Sequence, residues 1–119
     1  MQKKLNPHAP DDHLEKLSLA FREQALSEAE TLLDLNEKLK VAGGYEVREA
    51  TLSAIRVLVH RLAGRGGTFG YPDISIAASE LEQTIDDVLP QVSCQAPDAM
   101  RPIHALLRAL CAVISTLEK

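Results

Sequence analysis

The chain has few aromatic residues and no excess of positive charge, and these two absences exclude a class of partner. Its 119 residues include two Phe, two Tyr and no Trp, which gives little surface for stacking on nucleic-acid bases. The formal net charge is −4, whereas nucleic-acid-binding domains usually carry a basic patch. We therefore expect no nucleic acid among its partners.

Cysteines and long apolar runs are also scarce. Cys94 and Cys111 are too few for a disulfide framework and are not spaced as zinc ligands, so we expect both to be small apolar side chains in a reducing compartment. No run of about 18 apolar residues occurs, and the N-terminal sequence lacks the apolar segment of a signal peptide. The sequence predicts a cytoplasmic protein without a membrane span.

What is present is helical periodicity over the length of one domain. Residues 1–10 contain two prolines and are predicted to be a flexible N-terminal arm, and residues 11–119 a single domain. Asp12 and Glu15 have the spacing of a capping box, which predicts the start of a helix. Ser27 and Glu30 repeat that spacing, so the first region is either one helix or two.

Three more helices are predicted from apolar spacing and from proline and glycine positions. The second runs from about Tyr45 to a glycine cluster, the third starts at Pro72 and ends before Pro90, and the last starts near Pro102. No stretch alternates with period two. The sequence predicts an all-α, up-down-up-down four-helix bundle with an additional N-terminal helical segment.

The candidate site is the histidine that precedes the glycine cluster, in the segment HRLAGRGGTFGYPDISIAASELE, residues 60–82. On a helical wheel His60 lies opposite an apolar face, which we predict from Val47, Thr51, Ala54, Ile55, Leu58 and Leu62. Gly64 and Gly67 follow it on its own face, where they leave the imidazole uncovered at a cost of roughly 0.5–1 kcal/mol each in helix propensity. Alternatively, His60 is a solvated surface residue and the glycines serve tight helix packing.

This segment resembles the histidine-containing phosphotransfer (HPt) domains of bacterial phosphorelays. The family motif has a histidine, an apolar residue two positions later, glycines four and ten positions later, and a Leu-Glu pair on the next helix. Here those positions are His60, Leu62, Gly64, Gly70 and Leu81-Glu82, and the segment GGTFGY, residues 66–71, is similar to a turn in chemotaxis kinases. The resemblance implies a four-helix bundle with His60 as the phosphorylated nucleophile.

The resemblance also implies a function. The chain would be a stand-alone phosphocarrier, not an enzyme, that relays a phosphoryl group through His60 between receiver-domain aspartates or from a histidine kinase. Mg²⁺ is expected on the receiver, and no cofactor or metal on this chain. Glu82 would accept a hydrogen bond from Nδ1–H and leave Nε2 free to attack, or would be a solvated carboxylate. We expect a monomer. A further alternative is that the chain is a piece of a larger chemotaxis kinase.

Ala63 departs from the family, which usually has lysine at this position. Arg56 or Arg65 is a candidate replacement, because a guanidinium suits phosphate oxygens; otherwise these arginines are solvated or paired with Glu49 or Glu82. Without the lysine, an alternative function is a phosphorylation-independent interaction module that binds and regulates a receiver or histidine kinase. In either case the predicted docking surface consists of Val57, Ala63, Gly64, Gly67 and Phe69.

The remaining histidines carry little functional signal. His8 and His13 lie in or near the predicted arm, with no plausible metal geometry. His104 lies beside the apolar stripe of the last helix and is predicted to be a boundary residue. It is seven residues from Cys111, roughly 10 Å along a helix, which is too far for the two side chains to share one metal ion.

Overall fold

The computed structural model describes residues 8–91 and 97–118. They form four α-helices, α1 (His8–Lys40), α2 (Tyr45–Thr68), α3 (Pro72–Val88) and α4 (Arg101–Ser115), with short 3-10 turns at Leu89–Gln91, Pro97–Met100 and Thr116–Glu118. No strand occurs in these two ranges. The all-α prediction is confirmed, and the prolines at positions 72 and 102 lie in first helical turns, as expected.

The four helices pack as a bundle in which α1 and α3 each contact both α2 and α4. The ring of Phe21, in the N-terminal half of α1, lies 5.8 Å from the ring of Phe69, which follows the end of α2. Beside it, Arg22 Nε donates a 2.7 Å hydrogen bond to the carbonyl oxygen of Leu117, after the end of α4. Helix α1 is therefore antiparallel to both neighbours, as in an up-down-up-down bundle.

The prediction of an additional N-terminal helical segment is wrong, because α1 is one continuous helix of 33 residues. Its buried side chains continue without a break past the second capping signal, from Phe21 and Ala25 to Leu32 and Leu39. This packing outweighs the local tendency of Ser27 to start a new helix.

Helix α1 also begins at His8 rather than at the predicted cap Asp12. Pro10 is compatible with this start, since the first turn needs no backbone donor at that position. Residues 8–10 of the predicted arm are therefore helical, and residues 1–7 lie outside the described ranges.

The core is built from aliphatic side chains of all four helices. On α2 the buried face is rotated by about 60° from the predicted one, because α2 packs most extensively against α3. Val47 and Ala54 are exposed, and the sequence analysis missed Leu52 and Val59, which are fully buried. The residues buried on α2 are Thr51, Leu52, Ile55, Val59, Leu62 and Gly66.

Cys111 lies in the core on α4, as predicted for an apolar side chain. Burial raises the pKa of its thiol to about 11, so it is a neutral packing group at physiological pH. Cys94 lies outside the described residues. Within the described chain, no helix combines the length and apolarity that crossing a bilayer requires.

Candidate functional site

His60 is an exposed residue on a well-packed stretch of α2. Its side chain is 68% exposed, while the preceding Val59 is completely buried. One turn further on, a Cβ added to Gly64 would meet no atom within 4 Å. The backbone at this point is thus fixed by the core, and the imidazole is accessible from solvent.

Glu82 on α3 contacts the imidazole directly. Its Oε2 lies 2.7 Å from His60 Nδ1, and its side chain is only 17% exposed. The neighbouring Leu81 and Ile85 are fully buried and anchor this part of α3 in the core. Because an ionised carboxylate only accepts hydrogen bonds, the proton of a neutral ring lies on Nδ1 and the lone pair on Nε2.

Arg56 and Asp86 extend this contact into a chain of four side chains. Arg56 Nη2 lies 3.4 Å from the same Glu82 Oε2, and its Nε and Nη2 also donate to the two carboxylate oxygens of Asp86. The pKa of Arg56 is raised, first by the hydrogen bond to Asp86 and then by the charge of Asp86, with a smaller contribution from Glu82. The structure thus places Arg56 in the His60 cluster, paired with Glu82 and Asp86.

Sequence reasoning missed Asp86. The available signal was its spacing, because Asp86 follows Glu82 by four residues on α3, just as His60 follows Arg56 by four residues on α2.

Arg65, the second candidate arginine, lies elsewhere. Its half-buried side chain lines a shallow depression on the α1 side of the bundle with Leu17, Phe21 and Phe69. Within the described residues, no hydrogen bond or ion pair joins its side chain to the His60 cluster.

The four glycines of the segment have different roles. A Cβ at Gly66 would lie 3.1 Å from the backbone nitrogen of Ser75, so this buried glycine allows α2 and α3 to approach closely. Gly70, in the turn between these helices, has φ +89, which favours glycine. Gly64 and Gly67 are exposed. The packing alternative therefore applies to Gly66, which the sequence analysis did not single out.

The predicted docking residues are spread over two surfaces. Val57 is 51% exposed and lies on the same side of α2 as Gly64 and Gly67, whereas Ala63 is half-buried. Phe69 is half-buried and packs against Phe21 on α1. Val57, Gly64 and Gly67 therefore lie on the His60 side of α2, whereas Phe69 lies on the α1 side with Arg65.

Neither His104 nor His13 joins this cluster, and the His8 side chain lies outside the described part of the chain. His104 Nδ1–H donates to the side-chain carbonyl of Asn36 between α4 and α1, and the pKa of His104 is lowered mainly by burial. His13 is exposed on α1. Among the described residues, no three His, Cys, Asp or Glu side chains converge as metal ligands would.

Comparison with known proteins agrees with this architecture. The sequence model of one family, described as the Hpt domain, matches residues 11–117. The matched range contains α2, α3 and α4, most of α1 and the whole His60 cluster. No curated protein and no solved structure matches the chain.

Proposed function

Since the chain belongs to the Hpt domain family, a group of phosphotransfer modules of phosphorelays, we propose that it carries a phosphoryl group on His60. The group arrives from a receiver-domain aspartate or a histidine kinase and passes to a receiver aspartate. The observation that carries the proposal is the exposed imidazole whose Nδ1 lies 2.7 Å from Glu82 Oε2. That arrangement leaves Nε2 as the nucleophile.

The chemistry needs little beyond this orientation. Nε2 attacks phosphorus in line, the N–P bond forms, and the bond between phosphorus and the aspartyl oxygen breaks with its electron pair leaving on the carboxylate. Because Nδ1 keeps its proton, the phosphorylated ring carries a positive charge, which the Glu82 carboxylate stabilises. The transition state of phosphoryl transfer is loose, so positioning and charge compensation dominate catalysis, and the same geometry supports the reverse step.

Arg56 is the cation that we propose for this site in place of the family lysine absent at Ala63. Its guanidinium contacts Glu82, whereas Arg65 packs on the α1 side. The role of Arg56 is therefore exerted through the carboxylate that orients the ring. We assign the Mg²⁺ and the remaining charge compensation to the receiver.

The docking surface that we propose is the exposed side of α2 around His60. It combines an apolar side chain, Val57, with the exposed backbone at Gly64 and Gly67. Small surfaces suit the weak, transient contacts of a shuttle. We assign Phe69 a packing role beside Phe21 instead of a docking role.

A second candidate function remains because Ala63 cannot supply the usual positive charge. On that alternative, the bundle binds a receiver or kinase and regulates it without being phosphorylated. The two functions differ in the role of the imidazole. A phosphocarrier needs it to be phosphorylated, whereas the interaction module binds its partner without it.

The test is phosphoryl transfer from receiver domains and histidine kinases with Mg²⁺ present. We expect acid-labile, alkali-stable label on the wild type, complete loss of label in His60→Gln, and full label in the control His13→Gln, which alters another exposed histidine. A wild type that binds a receiver but is never labelled, with binding unchanged in His60→Gln, would establish the interaction module instead.

A further inference from the structure

One carboxylate oxygen is shared by two donors at the centre of the cluster. Glu82 Oε2 lies 2.7 Å from His60 Nδ1 and 3.4 Å from Arg56 Nη2. The same Arg56 Nη2 lies 3.4 Å from Asp86 Oδ2, and Arg56 Nε donates to Asp86 Oδ1. The guanidinium therefore bridges two carboxylates that are one helical turn apart on α3.

The geometry of a guanidinium makes this sharing depend on Asp86. An arginine side chain can pair with both oxygens of one carboxylate, and here that carboxylate is Asp86. Arg56 reaches Glu82 only through Nη2, at 3.4 Å, while its Nε donates to Asp86, so Oε2 keeps its short hydrogen bond with the imidazole. Without Asp86, the guanidinium would be released to pair with Glu82 and compete with His60 for the same oxygen.

We propose that Asp86 is a positioning residue for His60, which holds Arg56 and thereby keeps the Glu82 carboxylate on Nδ1–H. This inference rests on the proposed function for its significance to phosphoryl transfer. Asp86 acts through Arg56 and Glu82, and it selects the tautomer in which Nε2 carries the lone pair.

The primary test is Asp86→Asn, a change of charge with almost no change of shape. Asp87→Asn is the matched control, because Asp87 is exposed and accepts a hydrogen bond from Gln83 on its own helix. We expect ¹⁵N NMR of the imidazoles in Asp86→Asn to show a smaller fraction of the Nδ1–H tautomer at His60. We also expect phosphoryl transfer to slow by about three- to tenfold, with Asp87→Asn unchanged in both measurements.

A double-mutant cycle tests whether Asp86 acts through Arg56. In an Arg56→Gln background, Asp86→Asn should no longer change the His60 tautomer or the transfer rate, whereas it should keep its full effect in an Arg65→Gln background. An effect of equal size in the Arg56→Gln background would overturn the proposed order of contacts.

The two proposals fail in different ways. The tautomer is measured on the unphosphorylated protein, so it can be read even if no receiver or kinase labels His60, an outcome that would count against the proposed function alone. An Asp86→Asn protein with the wild-type imidazole spectrum would overturn the positioning role, whatever its labelling. Circular dichroism on each variant verifies that the fold is retained.

Discussion

His60 and His104 both donate a hydrogen bond from Nδ1, but they differ in partner, exposure and position. The partner of His60 is a carboxylate at the exposed edge between α2 and α3. The partner of His104 is the amide of Asn36, which is 1% exposed, between α1 and α4. The negative charge of a carboxylate stabilises a positively charged imidazole ring, and a neutral amide has no such charge. The surroundings therefore suit the His60 imidazole to the phosphoryl chemistry that we propose, and the His104 imidazole to packing.

The largest expected difference between the two pairs comes from removing the carboxylate that contacts His60. Glu82→Ala should slow phosphorylation of His60 roughly ten- to hundredfold, the range found when partners that orient metal-binding histidines are removed. The measurement is the initial rate of label transfer from a phosphorylated receiver. Glu80→Ala, at an exposed position of the same helix, is the control, and a Glu82→Ala protein with the control's rate would show that the contact of Glu82 with the ring is not needed for transfer.

The corresponding change in the other pair should act on stability instead of on transfer. Asn36→Ala removes a buried partner and leaves His104 Nδ1–H without its acceptor, so we expect a loss of about 2 kcal/mol in the free energy of unfolding. Chemical denaturation measures this loss, and Asp34→Ala, at an exposed position of α1, is the control. Slowed transfer in Asn36→Ala, at a temperature where it is fully folded, would contradict the division between the pairs.

The smallest expected effect is a pH dependence that belongs to His104. Burial, with a further contribution from Lys40, lowers its pKa below the ordinary 6.5, and Glu37 opposes this. Between the lowered folded-state pKa and 6.5, the unfolded chain binds more protons than the folded chain, so stability falls as the pH drops through this window. We expect the fall below pH 6.5 to be smaller in His104→Gln than in the wild type, by denaturation at several pH values; equal slopes would exclude His104 as its source.

The parts of the molecule that could be predicted from the sequence are those set by local chemistry or by a motif. The prolines at positions 72 and 102 predicted helix starts because proline suits a first turn. Helix-face position singles out His60 as the candidate site, and the family resemblance predicts its role and that of Glu82. The structure brings these two side chains together, while their roles in phosphoryl transfer stay predictions.

The features that could not be predicted depend on how the helices pack. Ser27 carries a local helix-start signal, and only the continuous core contact of α1 overrides it. The pairing of Arg56 with Asp86 requires the alignment of α2 with α3, which spacing within one helix does not provide. The rotation of the α2 buried face has the same origin, since periodicity gives the width of an apolar face more reliably than the direction of its neighbours.

The close contact between Gly66 and Ser75 has a consequence for the whole site. A side chain at position 66 has little room, so backbone atoms hold the two helices at a fixed spacing where they converge. Glu82 lies two turns along α3 from Ser75 and His60 under two turns back along α2 from Gly66. The helix spacing at Gly66 thus sets the distance between the Glu82 carboxylate and the His60 ring. A larger side chain at position 66 would change that distance, and with it the orientation of the imidazole, without contacting His60.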